Sequence, residues 1–150
     1  MLPLAIGLHT LAAVIWVGGM FFAHMVLRPA VGPMTPKDRL ELWSRVFPRF
    51  FAWVWAAVIV LTVTGYGAIF LTTGLFDMQI HVMAMMGTAT VMMGLFVLLY
   101  CVPYPRFMAA LAAGDLPGAA GHQATIRRIV TVNLALGLLT SAIGAAGRTF

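Results

Sequence analysis

The chain has 150 residues, of which 62% are hydrophobic and only 9% are charged. Soluble domains average about half apolar and about a quarter charged residues, so this composition excludes an ordinary soluble globular protein and predicts a single-domain membrane protein. The formal net charge of +5 is explained in such a protein by basic loops that stay in the cytoplasm, so no nucleic-acid partner is expected.

Four apolar segments predict four transmembrane helices, because each is close to the roughly 20 residues that span the hydrocarbon layer of a bilayer. They cover residues of about 4–27, 50–72, 78–102 and 126–146. The short alternating segments typical of an outer-membrane barrel do not occur. The predicted fold class is therefore an all-α membrane protein, with residues 1–150 forming one four-helix transmembrane bundle.

The connection between helices one and two predicts a further, amphipathic helix that starts near Thr35. Its residues Leu40, Trp43 and Phe47 are spaced to share one helical face. A helix with one apolar face beside a membrane span is typical of a segment that lies in the membrane interface.

Basic residues are concentrated in two of the three connections. Of the nine Lys and Arg residues, only Arg148 lies outside the first and third connections. The positive-inside rule therefore predicts that these connections face the cytoplasm and that both termini face outward. We expect a multi-pass protein of the bacterial inner membrane, embedded in the lipid bilayer with its termini in the periplasm.

Two histidines define the candidate site. Helices one and three run in the same direction, and His9 and His81 each follow the outer end of their helix by a few residues. We therefore expect them at similar depth, with Trp16 almost two turns after His9 on the same face. Two imidazoles on facing bundle helices suit a haem with two axial nitrogen ligands. The alternative is that each histidine hydrogen-bonds a neighbouring helix.

Other polar residues have a functional and a structural interpretation. Tyr66, toward the outer end of helix two, and Arg148, after helix four, suit the anionic propionates of a haem, but both are also typical membrane-interface residues. His24 and His122 lie near the cytoplasmic end, where they are either solvated or form a second, inner site. Asn133 in helix four is expected to hydrogen-bond another helix.

The methionines support copper as an alternative ligand. The chain has 11 Met residues, and thioether and imidazole ligands together suit Cu(I). In helix three, Met85 and Thr88 follow His81 at i+4 and i+7, so these residues form one face of the helix. Methionine is also an ordinary core and lipid-facing residue, so a structural role stays open.

Short stretches along nearly the whole chain resemble small bacterial CopD-like integral membrane proteins in their order and spacing. They are Leu8-His9, Trp16-Val17-Gly18-Gly19-Met20, Leu27-Arg28-Pro29-Ala30, Arg49-Phe50-Phe51-Ala52-Trp53, Thr64-Gly65-Tyr66, Ile80-His81-Val82-Met83 and Ile126-Arg127-Arg128-Ile129-Val130 with Asn133-Leu134. That family is similar to HemJ-type protoporphyrinogen oxidases and, more distantly, to copper-resistance protein D. The resemblance implies a helical bundle, frequently a homodimer, with b-type haem or copper as its ligand.

The sequence thus predicts an inner-membrane protein that binds haem b, with His9 and His81 as the axial iron ligands and Trp16, Tyr66 and Arg148 around the cofactor. Its expected role is electron transfer or the oxidation of a membrane-soluble reductant such as a quinol. The alternatives are copper uptake through a bundle lined by Met and His, and a HemJ-like protoporphyrinogen oxidase. HemJ-type proteins use a lysine on a later helix, whereas the only lysine here is Lys37 in the first connection.

Overall fold

A computed structural model describes residues 2–72 and 79–146 of the protein, and these residues form helices joined by short turns. The helices are α1 (Leu2–Phe21), α2 (Arg28–Ala30), α3 (Pro36–Thr72), α4 (Ile80–Cys101), α5 (Pro103–Ala112) and α6 (Leu116–Ala146). A π-helical segment, Phe22–Leu27, joins α1 to α2 without a break.

Four helical spans are long and apolar enough to cross a membrane, which confirms the predicted all-α membrane fold. The spans are Pro3–Ala30, Pro36–Gly67, Ile80–Ala112 and Leu116–Ala146. Large apolar side chains such as Ile59 and Val63 are exposed along them, and in a bilayer such surfaces contact lipid. The chain is therefore a multi-pass membrane protein.

The amphipathic segment predicted between helices one and two is the first part of α3, a continuous helix of 37 residues with Pro48 inside it. A proline in a helix interior removes a backbone hydrogen bond and costs roughly 3 kcal/mol. The helix continues because its apolar face is packed: Leu40, Trp43 and Phe47 are all buried. This segment is thus continuous with the second span rather than a separate helix, and it buries its apolar face in protein.

The third connection contains more helix than its composition suggested. It holds α5, and α6 begins at Leu116 rather than near residue 126. Between them Gly114 has a φ of 75°, a left-handed conformation that glycine adopts without steric cost. Asp115 then accepts a hydrogen bond from the backbone N–H of Gly118 at 2.9 Å, which caps the helix. Pro117 occupies the first turn, where a proline is tolerated.

The helices pack as two antiparallel pairs, α1 with α3 and α4 with α6, and α5 lies along the first part of α6. The pairs are joined by an aromatic cluster, whose rings come from four helices: Trp16, Trp43, Phe47, Phe51, Trp55, Phe96, Tyr100, Tyr104 and Phe107. Contacting rings have centroids 5.0 to 6.3 Å apart, within the range of attractive aromatic pairs.

The connectivity gives the bundle two chemically different ends. One end carries seven arginines, and we call it the basic end: Arg28, Arg39, Arg45, Arg49, Arg106, Arg127 and Arg128. The aromatic cluster lies toward this end. The opposite end, where α1 and α4 begin, is called the far end, and it contains both histidines of the predicted site.

Candidate functional site

His9 lies on α1 near the far end and is half-buried against α3. Its Nδ1 is 2.8 Å from the hydroxyl oxygen of Thr64. When that hydroxyl donates its single proton to the carbonyl oxygen of Val60, at 2.6 Å, it accepts the hydrogen bond from His9. In that tautomer Nδ1 carries the ring proton, and Nε2 keeps its lone pair. A histidine whose other ring nitrogen donates to an oxygen is the arrangement typical of a metal ligand.

Gly65, next to the threonine, makes space for the imidazole. A Cβ atom on Gly65 would lie 3.3 Å from Cε1 of His9, which is closer than an ordinary van der Waals contact. Thr64 and Gly65 thus act together, the first by orienting the ring and the second by leaving room for it. The sequence prediction used this pair only for its resemblance and missed its contact with His9. The sequence did contain a signal for this contact, namely a residue with a hydroxyl group on the second predicted helix at the same depth as His9.

The other predicted site residues around His9 form no hydrogen bond with it in the described parts of the chain. Trp16 is buried and packs edge-on against Phe96, with ring centroids 6.3 Å apart, so it belongs to the aromatic cluster. Tyr66 on α3 is 37% exposed. Arg148 lies outside the described residues.

His81 is the second residue of α4 and is half-buried. Val17 of α1 and Met92 of α4 both lie beside Gly137 of α6, because each would contact a Cβ atom added there. The two residues therefore lie at about the same depth in the bundle. Measured from that level at 1.5 Å per residue, His9 lies about 12 Å along α1 and His81 about 16 Å along α4. The two imidazoles are thus within about one helical turn in depth, and their pairing on one haem stays a prediction.

α4 presents a row of methionine side chains to α6. A Cβ atom on Gly144 would lie 2.8 Å from Cε and 3.2 Å from Sδ of Met85, and one on Gly137 would lie 3.1 Å from Cε of Met92. Two glycines of α6 therefore bring the helices close enough for these thioethers to pack between them. His81, Met85, Thr88 and Met92 are spaced at i, i+4, i+7 and i+11, so they form one face, which we call the methionine face.

Polar groups lie along the same seam between α4 and α6. The hydroxyl oxygens of Thr88 and Thr140 are 2.7 Å apart. Asn133 is buried and donates from Nδ2 to the backbone carbonyl of Met92 at 3.1 Å, which confirms the predicted interhelical hydrogen bond. Its Oδ1 is buried without a hydrogen-bond partner among the described residues. An unsatisfied buried acceptor costs roughly 1–3 kcal/mol of stability. A hydrogen-bond donor or a cation beside that oxygen would therefore stabilise this seam.

The donor set favours a soft cation. In the part of the chain that the structure describes, no group of three or more His, Cys, Asp or Glu side chains is placed to hold a metal ion. Cys101 is free and exposed, away from the methionine face. The nitrogen and sulfur donors of His9, His81 and the methionine face are imidazoles and thioethers, which suit Cu(I) better than Mg²⁺, Ca²⁺ or Mn²⁺.

The remaining two histidines lie at the basic end. His24 is in the π-helical segment, and its Nδ1 is 3.5 Å from the hydroxyl oxygen of Thr131 on α6. His122 is in the first part of α6 and is half-buried. Both are separated from the far end by the length of the bundle, so neither joins the site around His9.

Comparison with known proteins adds one finding. A family model described as Copper resistance protein D (CopD) matches residues 44–146. The match runs from the first part of α3 to the end of α6, so it includes Thr64 and the methionine face but not His9. No curated protein and no solved structure matches the chain.

Proposed function

The chain belongs to the copper resistance protein D family, and from that premise we propose that it moves copper across the membrane through its helical bundle. Copper is the cargo, carried as Cu(I), which prefers thioether and imidazole ligands. The observation that carries the proposal is the methionine face. It places the sulfur-bearing side chains of Met85 and Met92 against α6, where Met92 is buried and Met85 is half-buried.

The route begins with imidazoles and continues with thioethers. The lone pair on Nε2 of His9 and the ring of His81 lie at the far end, where an ion is first bound. Met85 and Met92 follow about two turns apart, roughly 10 Å along α4, and the free Oδ1 of Asn133 lies on the seam near Met92. Met93 contributes a sulfur toward α3, where its Sδ lies 3.5 Å from the hydroxyl oxygen of Thr62.

We place the basic end in the cytoplasm and the far end, with both termini, in the periplasm of a bacterial inner membrane. The support is the positive-inside rule, since the seven arginines lie in the parts of the four helical spans that are nearest the basic end. In this orientation the imidazoles meet periplasmic copper, and transport proceeds toward the cytoplasm, as in copper uptake.

The transport proposal is tested in vesicles that contain the purified full-length protein and a trapped chromophoric Cu(I) chelator. Met85→Leu and Met92→Leu preserve side-chain volume and remove the sulfur, so each is expected to lower the rate of copper entry at least about ten-fold, in line with the loss of an ordered ligand contact. Met83→Leu is the matched control, because Met83 is on the same helix but 50% exposed. Equal rates in all three variants would contradict the proposal.

A second candidate is the b-type haem protein with an electron-transfer or quinol-oxidising role. The observation that favours it is the ring orientation of His9, whose free Nε2 fits an axial position, with His81 about one turn away in depth. His9 and His81 would hold the iron, and Tyr66 and Arg148 would hold the propionates. The haem would supply one-electron redox chemistry.

Metal analysis and a visible spectrum distinguish the two candidates. Iron with a Soret band that is lost in His9→Ala and His81→Ala supports the haem protein, and copper without haem supports transport. Rescue of a strain that lacks its own protoporphyrinogen oxidase would point to HemJ-like activity instead. We propose a homodimer for either candidate, which light scattering of the purified protein measures.

A further inference from the structure

A cavity of about 590 Å³ lies at the basic end between the end of α1 with α2, the first part of α3 and α6. Its volume is within the range of small-molecule binding sites. Three elements each contribute one arginine to its lining: Arg28 from α2, Arg39 from α3 and Arg127 from α6. Trp43 and Phe47 form an apolar wall that is continuous with the aromatic cluster.

The charge of this cavity is not balanced by the protein. No acidic side chain lines it, and among the described residues the ion pair that occurs joins Lys37 and Glu41, outside the cavity. Like charges gathered around one space repel each other, and an anion between them removes that repulsion. Guanidinium groups bind phosphate with two parallel hydrogen bonds, so the cavity is suited to a phosphate-bearing ligand.

The helical segment that follows α1 is π-helical where it meets the cavity. His24 and Met25, which lie in the π-helical segment, both line it. π-Helical turns are rare and occur frequently at functional sites, because they shift side chains out of the regular helical register. This local change of register therefore coincides with the arginine cluster.

We propose that this cavity binds the headgroup of an anionic phospholipid from the bilayer leaflet at the basic end. The three arginines hold the phosphate, and the glycerol with the first part of the acyl chains lies along Trp43 and Phe47. A soluble phosphate would use the arginines but leave the aromatic wall without a role. A basic pocket between membrane-spanning helices is also the typical form of a lipid-headgroup site. The proposal is independent of the cargo and of the transport route.

Native mass spectrometry of the delipidated, full-length protein tests the proposal. The probes are palmitoyl-oleoyl phosphatidylglycerol and phosphatidylcholine, which carry the same acyl chains. The wild type is expected to retain one phosphatidylglycerol and to bind phosphatidylcholine at least about ten-fold more weakly. Each of Arg28→Gln, Arg39→Gln and Arg127→Gln is expected to weaken the retained lipid about five-fold, the usual effect of one basic residue at an anionic membrane.

The matched controls are the single variants Arg45→Gln, Arg106→Gln and Arg128→Gln, each of which removes the same charge from an exposed position outside the cavity. Each is expected to bind phosphatidylglycerol as the wild type does. An equal loss in control and cavity variants would show general electrostatics and overturn the proposal. So would displacement by inorganic phosphate as effective as by lipid, or a bound porphyrin with a Soret band lost in Arg127→Gln.

Discussion

Replacing Thr64 with valine tests whether the contact between α3 and His9 prepares a metal ligand or only joins two helices. Valine has nearly the shape of threonine but lacks the hydroxyl that forms the 2.8 Å hydrogen bond with Nδ1 of His9. Interhelical hydrogen bonds inside membranes average about 0.6 kcal/mol, so a structural contact predicts only a small loss of stability. Loss of the oxygen that orients a ligating histidine typically costs 10–100-fold in metal affinity, or about 1.4–2.8 kcal/mol.

These two magnitudes separate the explanations in one experiment. Cu(I) affinity is measured by competition with a chromophoric chelator, and stability is measured by thermal unfolding in detergent. We expect Thr64→Val to weaken copper binding about ten-fold or more with little change in stability, and Thr64→Ser, which keeps the hydroxyl, to bind like the wild type. In a His9→Ala background the valine variant should have no further effect on affinity, since coupled residues are not additive. Unchanged affinity in Thr64→Val would refute the role assigned to Thr64 in orienting His9.

Three further predictions concern packing and are measured by thermal unfolding in detergent. Asn133→Leu removes a buried unsatisfied oxygen together with one hydrogen bond, so we expect a change in stability within about 1 kcal/mol; a loss above about 2 kcal/mol would mean that Oδ1 has a partner in the membrane. Gly137→Ala places a Cβ 2.8 Å from a methyl carbon of α1 and should destabilise by about 1–3 kcal/mol, whereas Gly94→Ala, with open space around it, should not destabilise. Phe51→Ala, in the centre of the aromatic cluster, should cost about 3–5 kcal/mol, and Trp53→Ala, 63% exposed, should cost much less.

Hydropathy predicted the four spans because the membrane itself imposes it. A span must be apolar and about 20 residues long in any helical membrane protein, so the four spans were readable without knowing any contact. The helix ends were less predictable. Pro117 and Gly118 resemble helix breakers, and only the capping by Asp115 shows that they belong to the first turn of α6.

The partners of the predicted site residues could not be read from periodicity. Helical spacing assigns a residue to a face, but the neighbouring helix that meets that face is decided by packing of the whole bundle. His9 therefore was expected to face His81, while its observed hydrogen bond is with Thr64 on α3. The face that contains Met85 and Thr88 was predicted from spacing alone, because it needed no knowledge of the partner helix. Asn133 was predicted to bond across helices on general grounds, and its acceptor on α4 came only from the structure.

The aromatic cluster has a consequence for the passage of an ion through the bundle. Its rings come from α1, α3, α4 and α5. Phe51 of α3 contacts Phe47 on its own helix, Phe96 on α4 and Tyr104 on α5. Apolar rings in mutual contact are a poor environment for water and ions. Under the proposed transport function, an ion that passes the cluster would require the rings to rearrange, so the transport rate would follow side-chain motion rather than the width of a fixed pore.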